Sequence, residues 1–194
     1  MNSELGDMKK ILFATSNKGK LAEAQVFLSP LGYEVKQLKV AYPEIQARTL
    51  QEVASFGIHW ISRERKMGDA VMLEDAGLFI HVLSDFPGVY SKWVYETIGL
   101  DGVLKLMYNE AERSAHFESC LVYMEKGKEP IVFNGRVNGH LTEKPKGSNG
   151  FGYDPIFIAK KETKTFAEMT AKEKNRHSHR GKAFQKLVNY LNKN

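Results

Sequence analysis

The chain predicts an α/β domain, and three observations carry that reading. Short apolar runs at residues 11–14 and 33–38, and again at 71–73 and 78–82, alternate with stretches of helical spacing. Two longer runs, 115–125 and 130–141, have strand character on either side of a turn at Gly127, which makes a hairpin. Near the end, Ala183, Phe184, Leu187, Tyr190 and Leu191 return to helical spacing.

Composition narrows the class. With 194 residues the chain can form one sizeable domain or two closely joined lobes. Hydrophobic residues at 42% and charged residues at 26% argue against disorder. A net charge of +5 suits an anionic partner, a nucleotide or a nucleic acid. The single cysteine, Cys120, excludes an internal disulfide and a multi-cysteine zinc site; it reads as a small core residue. The longest apolar runs are too short to span a bilayer, so no membrane partner is expected. Residues 1–8 are polar and acidic, unlike a signal peptide, and are expected as a loose tail on a cytoplasmic protein.

The first strand, 11–14, runs into Thr15-Ser16-Asn17-Lys18-Gly19-Lys20, and Leu21, Ala24 and Leu28 follow at helical spacing. Hydroxyls, an amide, a glycine and lysines before a helix N-terminus suit a phosphate, through free N–H groups and the helix dipole. The glycine spacing is not that of a P-loop, and an ordinary capped helix is the plainer alternative. After the second strand, 33–38, comes a proline-bearing loop with Glu44. Leu50, Val53, Ala54, Ile58 and Ile61 then predict a helix over 50–66 that ends in Arg63, Arg65 and Lys66.

In residues 71–80, Glu74 and Asp75 interrupt an apolar run. Two charges inside a strand are costly. The strand is therefore expected to end at Leu73, with the carboxylates at its tip, a break at Gly77 and a second strand over 78–82. Carboxylates so placed in a basic chain suggest a divalent metal shared with a phosphate, against the alternative of an acidic turn. Residues 84–88 form a turn. A helix follows over 89–98, ended by Gly99, and Asp101 caps the next. Tyr90, Trp93, Val94 and Thr97 share one face, as core or as subunit interface.

Residues 144–155 form a loop rich in glycine and proline. Phe151 can stack on a base and Asp154 can accept from ring N–H groups, or the loop's aromatics simply anchor it to the core. Residues 155–159 return to strand. The run 172–182 is the most polar. His177 and His179, at i and i+2, do not share a helix face, which weakens a metal reading; a solvated basic cluster is the plain one.

Taken together these motifs resemble the inosine triphosphate pyrophosphatase family, over nearly the whole chain and in family order. They are Thr15–Lys20, Pro43-Glu44-Ile45-Gln46, Leu73-Glu74-Asp75-Ala76-Gly77-Leu78, Phe86-Pro87-Gly88-Val89-Tyr90-Ser91, Phe151-Gly152-Tyr153-Asp154-Pro155, and Glu173-Lys174-Asn175 with Ser178-His179-Arg180. Many members carry serine where this chain has Ala76, so that hydroxyl's contact is missing or passes to backbone. The resemblance implies an elongated two-lobed α/β fold, a long mixed twisted sheet flanked by helices, a nucleotide cleft between the lobes and a homodimer. It implies Mg²⁺-dependent hydrolysis of the α–β phosphoanhydride of ITP, dITP or XTP, giving monophosphate and diphosphate.

On that basis Asp75 is the expected proton acceptor, and Glu44, Asp75 and Glu74 the metal carboxylates, Glu74 as ligand or behind one. Oxygen donors suit Mg²⁺ better than zinc. An aspartate near its usual pKa of about 3.9 is a weak base, so Asp75 needs activated or well-placed water. Thr15, Ser16, Asn17, Lys18, Gly19 and Lys20 are expected at the phosphates, beside Ala76. Phe151, Gly152, Tyr153, Asp154, His179 and Arg180 are expected at the base, and Lys174 at either phosphate or base. Arg180 or a backbone N–H would donate to the 6-oxo group of hypoxanthine or xanthine. Opposite an amine that donor would stay unpaired, at a cost of about 1–3 kcal/mol. A pyrophosphatase of modified pyrimidine nucleotides and a non-catalytic nucleic-acid-binding module are the alternatives.

Overall fold

The computed structural model describes residues 9–64 and 68–193. The expected tail, 1–8, and the end of the second helix at Arg65 and Lys66 lie outside them. Eleven main elements follow in order. They are β1 (Lys9–Ala14), α1 (Lys18–Leu28), β2 (Tyr33–Leu38), α2 (Leu50–Glu64), β3 (Ala70–Ile80), α3 (Ser91–Leu106), β4 (Ser114–Met124), β5 (Ile131–Leu141), β6 (Phe157–Ala159), α4 (Ala171–His177) and α5 (His179–Leu191).

The six strands make one mixed sheet in the order β2-β1-β3-β4-β5-β6. β2 and β3 flank β1 in parallel, as the α1 and α2 crossovers require, and β3, β4 and β5 pair antiparallel. This is the α/β class read from the alternation of strands and helices.

The corner expected at Gly77 is absent. β3 runs unbroken from Ala70 to Ile80 and pairs with β4 along Val71–Ile80. What ends near the carboxylates is the neighbour: β1 stops at Ala14, opposite Leu73. Glu74 and Asp75 thus begin the part of β3 that has lost its parallel partner. Gly77 serves close approach rather than a turn, since a Cβ there would stand 2.3 Å from the Gly88 carbonyl oxygen. Gly99 does break a helix, with φ 63 and ψ −168 inside α3.

Alternation along β3 puts successive side chains on opposite faces. One face carries Met72 and Glu74 under α1 and α5, and Leu78 against α3; the other carries Leu73, Asp75 and Phe79 on the α2 side. Apolar packing on the first face falls into two clusters. One gathers Ile11, Phe13, Met72, Leu121, Phe133 and Phe184. The other gathers Leu78, Phe117, Val137, Tyr153, Phe157 and Phe166. Between them the sheet presents Glu74, Ser119 and Gly135 where the pattern asks for large apolar groups. Gly135 lets α5 settle onto the sheet: a Cβ there would lie 2.0 Å from the His179 carbonyl oxygen. That approach brings the first turn of α5 down to Glu74.

Candidate active site

At the junction of the clusters three cations meet three carboxylates. Glu74 has no exposed side-chain surface. Its Oε2 lies 2.8 Å from Lys20 Nζ, and its Oε1 accepts from Arg180 Nε at 3.1 Å and from Ser119 Oγ at 2.6 Å. Arg180 Nη1 donates to Glu23 Oε2 at 2.8 Å, and Lys174 Nζ donates to Glu23 Oε1 at 3.1 Å and to Asp154 Oδ2 at 2.7 Å. Burial raises the Glu74 pKa, but Arg180 and Lys20 outweigh it and hold the carboxyl well below its usual range. The same two opposing effects, burial against Arg180 and Lys174, leave Glu23 lowered.

Of the two roles expected of Glu74, metal ligand or a group behind one, this geometry fits the second. Its Oε1 accepts two hydrogen bonds, its Oε2 is ion-paired with Lys20 without a well-directed hydrogen bond, and none of its side chain reaches solvent, so it braces the site from beneath. Glu23 was not anticipated. Its one sequence signal is position: it stands three residues after Lys20 on α1, so both reach the sheet from one helix face.

Asp75, on the other face of β3, is half-buried and accepts from the Ala76 N–H at 3.0 Å. Burial pushes its carboxyl up; Lys20 opposes this, Glu74 and Glu44 add to it, and the pKa stands at about 6. The weak base expected from the usual aspartate value is therefore better matched to neutral solution than its residue type suggests. The charges of Asp75 and Glu44 both reach the Tyr42 hydroxyl and, after burial, raise its pKa. Glu44 is exposed, and its Oε1 lies 3.5 Å from Lys92 Nζ at the start of α3. Loop, strand and helix thus set two carboxylates on one side of the sheet, within electrostatic reach of each other.

The loop before α1 is capped, by Asn17 rather than Ser16: Asn17 Oδ1 accepts from the Lys20 N–H at 3.1 Å, and Thr15 Oγ1 from the Asn17 N–H at 3.1 Å. Ser16 and Lys18 are exposed. Gly19 touches Phe151, whose ring would be 2.7 Å from a Cβ at that position. The phosphate-type loop and the glycine-rich loop therefore meet. Lys174 Nζ sits 4.5 Å and Arg180 Cζ 5.2 Å from the Phe151 ring centroid.

Asp154 is buried and accepts from the Phe151 N–H at 2.8 Å as well as from Lys174. Gly150, at φ 73, leaves room for that carboxylate, and Gly152, at φ 62, carries the loop onward. Tyr153 turns into the core, where its hydroxyl donates to the Ser91 carbonyl oxygen at 2.8 Å. It is the anchor of the loop. His179 is buried with its ring stacked on Phe117 at 4.6 Å, and its Nδ1 has no hydrogen-bond partner. His177 lies outside, 3.4 Å from Glu162, so the two histidines do not converge.

The polar run 172–182 is solvated only in part: Lys174, Asn175, Ser178, His179 and Arg180 are buried, while Lys172, Arg176 and Lys182 are exposed. Two capped helices replace the single opening expected, with Thr170 capping α4 and Ser178 capping α5.

Residues 11–190 match the model of the Ham1 family. The chain belongs to the Ham1 family. This Ham1 chain is 50% identical over 185 residues to a protein of Thermococcus kodakarensis named dITP/XTP pyrophosphatase, covering 95% of this chain and 98% of that one. A protein of the same name from Pyrococcus horikoshii is 49% identical, with the same coverage. Among solved structures, the Ham1 protein of Staphylococcus aureus superposes with a TM-score of 0.81 at 28% identity, over 95% of this chain and 98% of that one. The HAM1 protein of Coxiella burnetii gives 0.81 at 31%, over 96% and 100%. No described helix of the Ham1 chain is long and apolar enough to cross a membrane.

Proposed function

We propose that the protein hydrolyses non-standard purine nucleoside triphosphates, dITP, XTP and ITP, at the α–β phosphoanhydride, releasing the monophosphate and diphosphate. The names of the relatives at 40–50% identity support the substrate class. One structural observation carries the chemistry. Asp75, with its pKa raised to about 6, stands one residue from a buried, ion-paired Glu74 and within reach of Glu44's charge.

Asp75 is the proton acceptor for the attacking water. Its carboxyl is ionised near neutral pH yet basic enough to take a proton. Glu44 and Asp75 are the carboxylates that would hold Mg²⁺. The fit is in the donor set: oxygen donors, one exposed and one half-buried, each raising the other's burden of negative charge. Bound there, Mg²⁺ supplies charge neutralisation for phosphate oxygens and acidifies water. Asn17, Lys18, Gly19 and Lys20, with Thr15 and Ser16, receive the phosphates at the N-terminus of α1, and the Ala76 backbone lies alongside.

The purine is assigned to Phe151, whose face already carries two cations, with Gly152 giving the loop its turn. Asp154, Lys174 and Arg180 hold that surface in shape, and His179 Nδ1, buried without a partner, is a polar atom available to the base edge. Guanidinium and backbone donors near the base favour a 6-oxo group over an amine. Exposed Tyr90, Trp93, Ile98 and Tyr108, 44%, 67%, 43% and 78% accessible, support a homodimer built on the α3 side, and the nucleotide pool makes the cytoplasm the expected setting.

The test is diphosphate release from dITP, XTP, ITP, dATP, dGTP and a modified pyrimidine triphosphate, each with and without Mg²⁺. Preference for the first three, abolished without Mg²⁺, supports the proposal. Equal turnover of dATP, or preference for the pyrimidine, overturns the assigned specificity.

A further inference from the structure

β3 ends at Ile80, five residues and about 17 Å of extended strand from Asp75. The chain then turns through His81–Leu83 into Ser84 and Asp85, both left-handed at φ 53 and 65. His116 stands on the adjacent strand β4, opposite Phe79 and stacked on its ring at 4.7 Å. The turn brings His81 over it: His81 Nε2 lies 3.0 Å from His116 Nδ1, and His81 Nδ1 lies 2.7 Å from Ser114 Oγ. One ligand atom from each of His81, Asp85 and His116 falls within 4.8 Å of the others.

We propose that His81, Asp85 and His116 bind one divalent transition-metal ion of the zinc class, at a site separate from the Glu44 and Asp75 carboxylates. The donor set is two imidazole nitrogens and one carboxylate. That set suits zinc, cobalt or nickel, whereas Mg²⁺ favours oxygen. Two nitrogens bonded to a tetrahedral ion at about 2.0–2.1 Å stand roughly 3.3 Å apart, so the 3.0 Å separation needs little adjustment.

Ser114 Oγ completes the arrangement. As acceptor from Nδ1–H it leaves the His81 Nε2 lone pair for the ion, the usual way a second group orients a metal-binding histidine. The fourth position opens onto a cavity of ≈ 260 Å³ lined also by Arg48, Thr49, Glu118 and Arg136. Glu118 lies 3.7 Å from Arg136 and offsets its charge, and a water or small anion fits the remaining place. The ion ties the turn after β3 to β4.

The full-length protein is stripped with a chelator and titrated with Co²⁺ in excess Mg²⁺, read by calorimetry and by the visible d–d bands of bound cobalt. One equivalent with a tetrahedral-type band is expected. His81→Ala and Asp85→Ala alter exposed side chains and are expected to keep the fold by circular dichroism. Each should abolish the band and weaken binding at least ~100-fold, and Ser114→Ala should weaken it ~10–100-fold. Asp75→Asn should leave cobalt binding unchanged. Absence of a band in the parent protein, an undiminished band in His81→Ala, or its loss in Asp75→Asn overturns the proposal.

Discussion

Glu74 and Asp75 are neighbours in β3 yet live in opposite electrostatic worlds. Glu74 is held ionised by Lys20 and Arg180 on one face, while burial and nearby carboxylates push Asp75 up to about 6 on the other. The reversal of side-chain direction between consecutive strand residues is all that separates them. A structural anchor and a proposed base thus share one peptide bond.

The Asp75 pKa sets a pH dependence. Activity should rise with pH as Asp75 ionises, over a limb at or below about 6, because bound Mg²⁺ draws the carboxyl down from its metal-free value. Asp75→Asn should lower kcat roughly 10²–10⁴-fold and abolish that limb. Stability runs the other way: a carboxyl raised from 3.8 contributes most below pH 3.8, and that contribution is lost as pH passes 6. The asparagine variant should therefore be more stable than the parent at neutral pH, by on the order of 2 kcal/mol. Rate profiles and urea melts across pH 4–8 check both signs.

Glu74→Gln should be strongly destabilising. It leaves the Lys20 ammonium and the buried Arg180 guanidinium without their shared counter-charge, a loss of about 3–5 kcal/mol. Glu74 is lowered from 4.5, so its contribution is present above that value and lost as pH falls through the folded pKa. The gap between parent and variant in urea midpoint should be wide at pH 7 and shrink in acid. A constant gap would show that packing, not charge, holds the junction.

Phe151→Ala tests the base surface with little cost to the fold, because the ring is only half-buried. Stacking on an aromatic ring contributes about 1–3 kcal/mol per base, so KM for dITP should rise roughly 10–100-fold while kcat changes little. A drop confined to kcat would move the purine elsewhere.

Gly135→Ala probes how α5 is seated. The added methyl would meet the His179 carbonyl oxygen at 2.0 Å and the Ala183 nitrogen at 2.8 Å, so the helix must lift from the sheet. Overpacking of this kind costs about 1–3 kcal/mol. Lifting the helix also draws Arg180 from Glu74, so turnover should fall with stability. Activity and denaturation midpoints measured on one preparation check the coupling.

Local patterns determined much of this protein. Strand–helix alternation identified the α/β class, the run around Gly127 the β4–β5 hairpin, and Ser16 or Asn17 as the cap of α1, because periodicity and capping depend on neighbours a few residues away. The resemblance to the pyrophosphatase family is what assigned Glu44, Asp75, Phe151 and Arg180 to one proposed chemistry. Tertiary structure decided what each charged group does. Whether Glu74 is a ligand or a brace depends on Lys20, Glu23 and Arg180, contributed by helices more than fifty and a hundred residues away. Whether the run 172–182 is solvated depends on Gly135 admitting α5 to the sheet. The cost of a buried charge is a property of its surroundings, and those assemble only when distant segments pack.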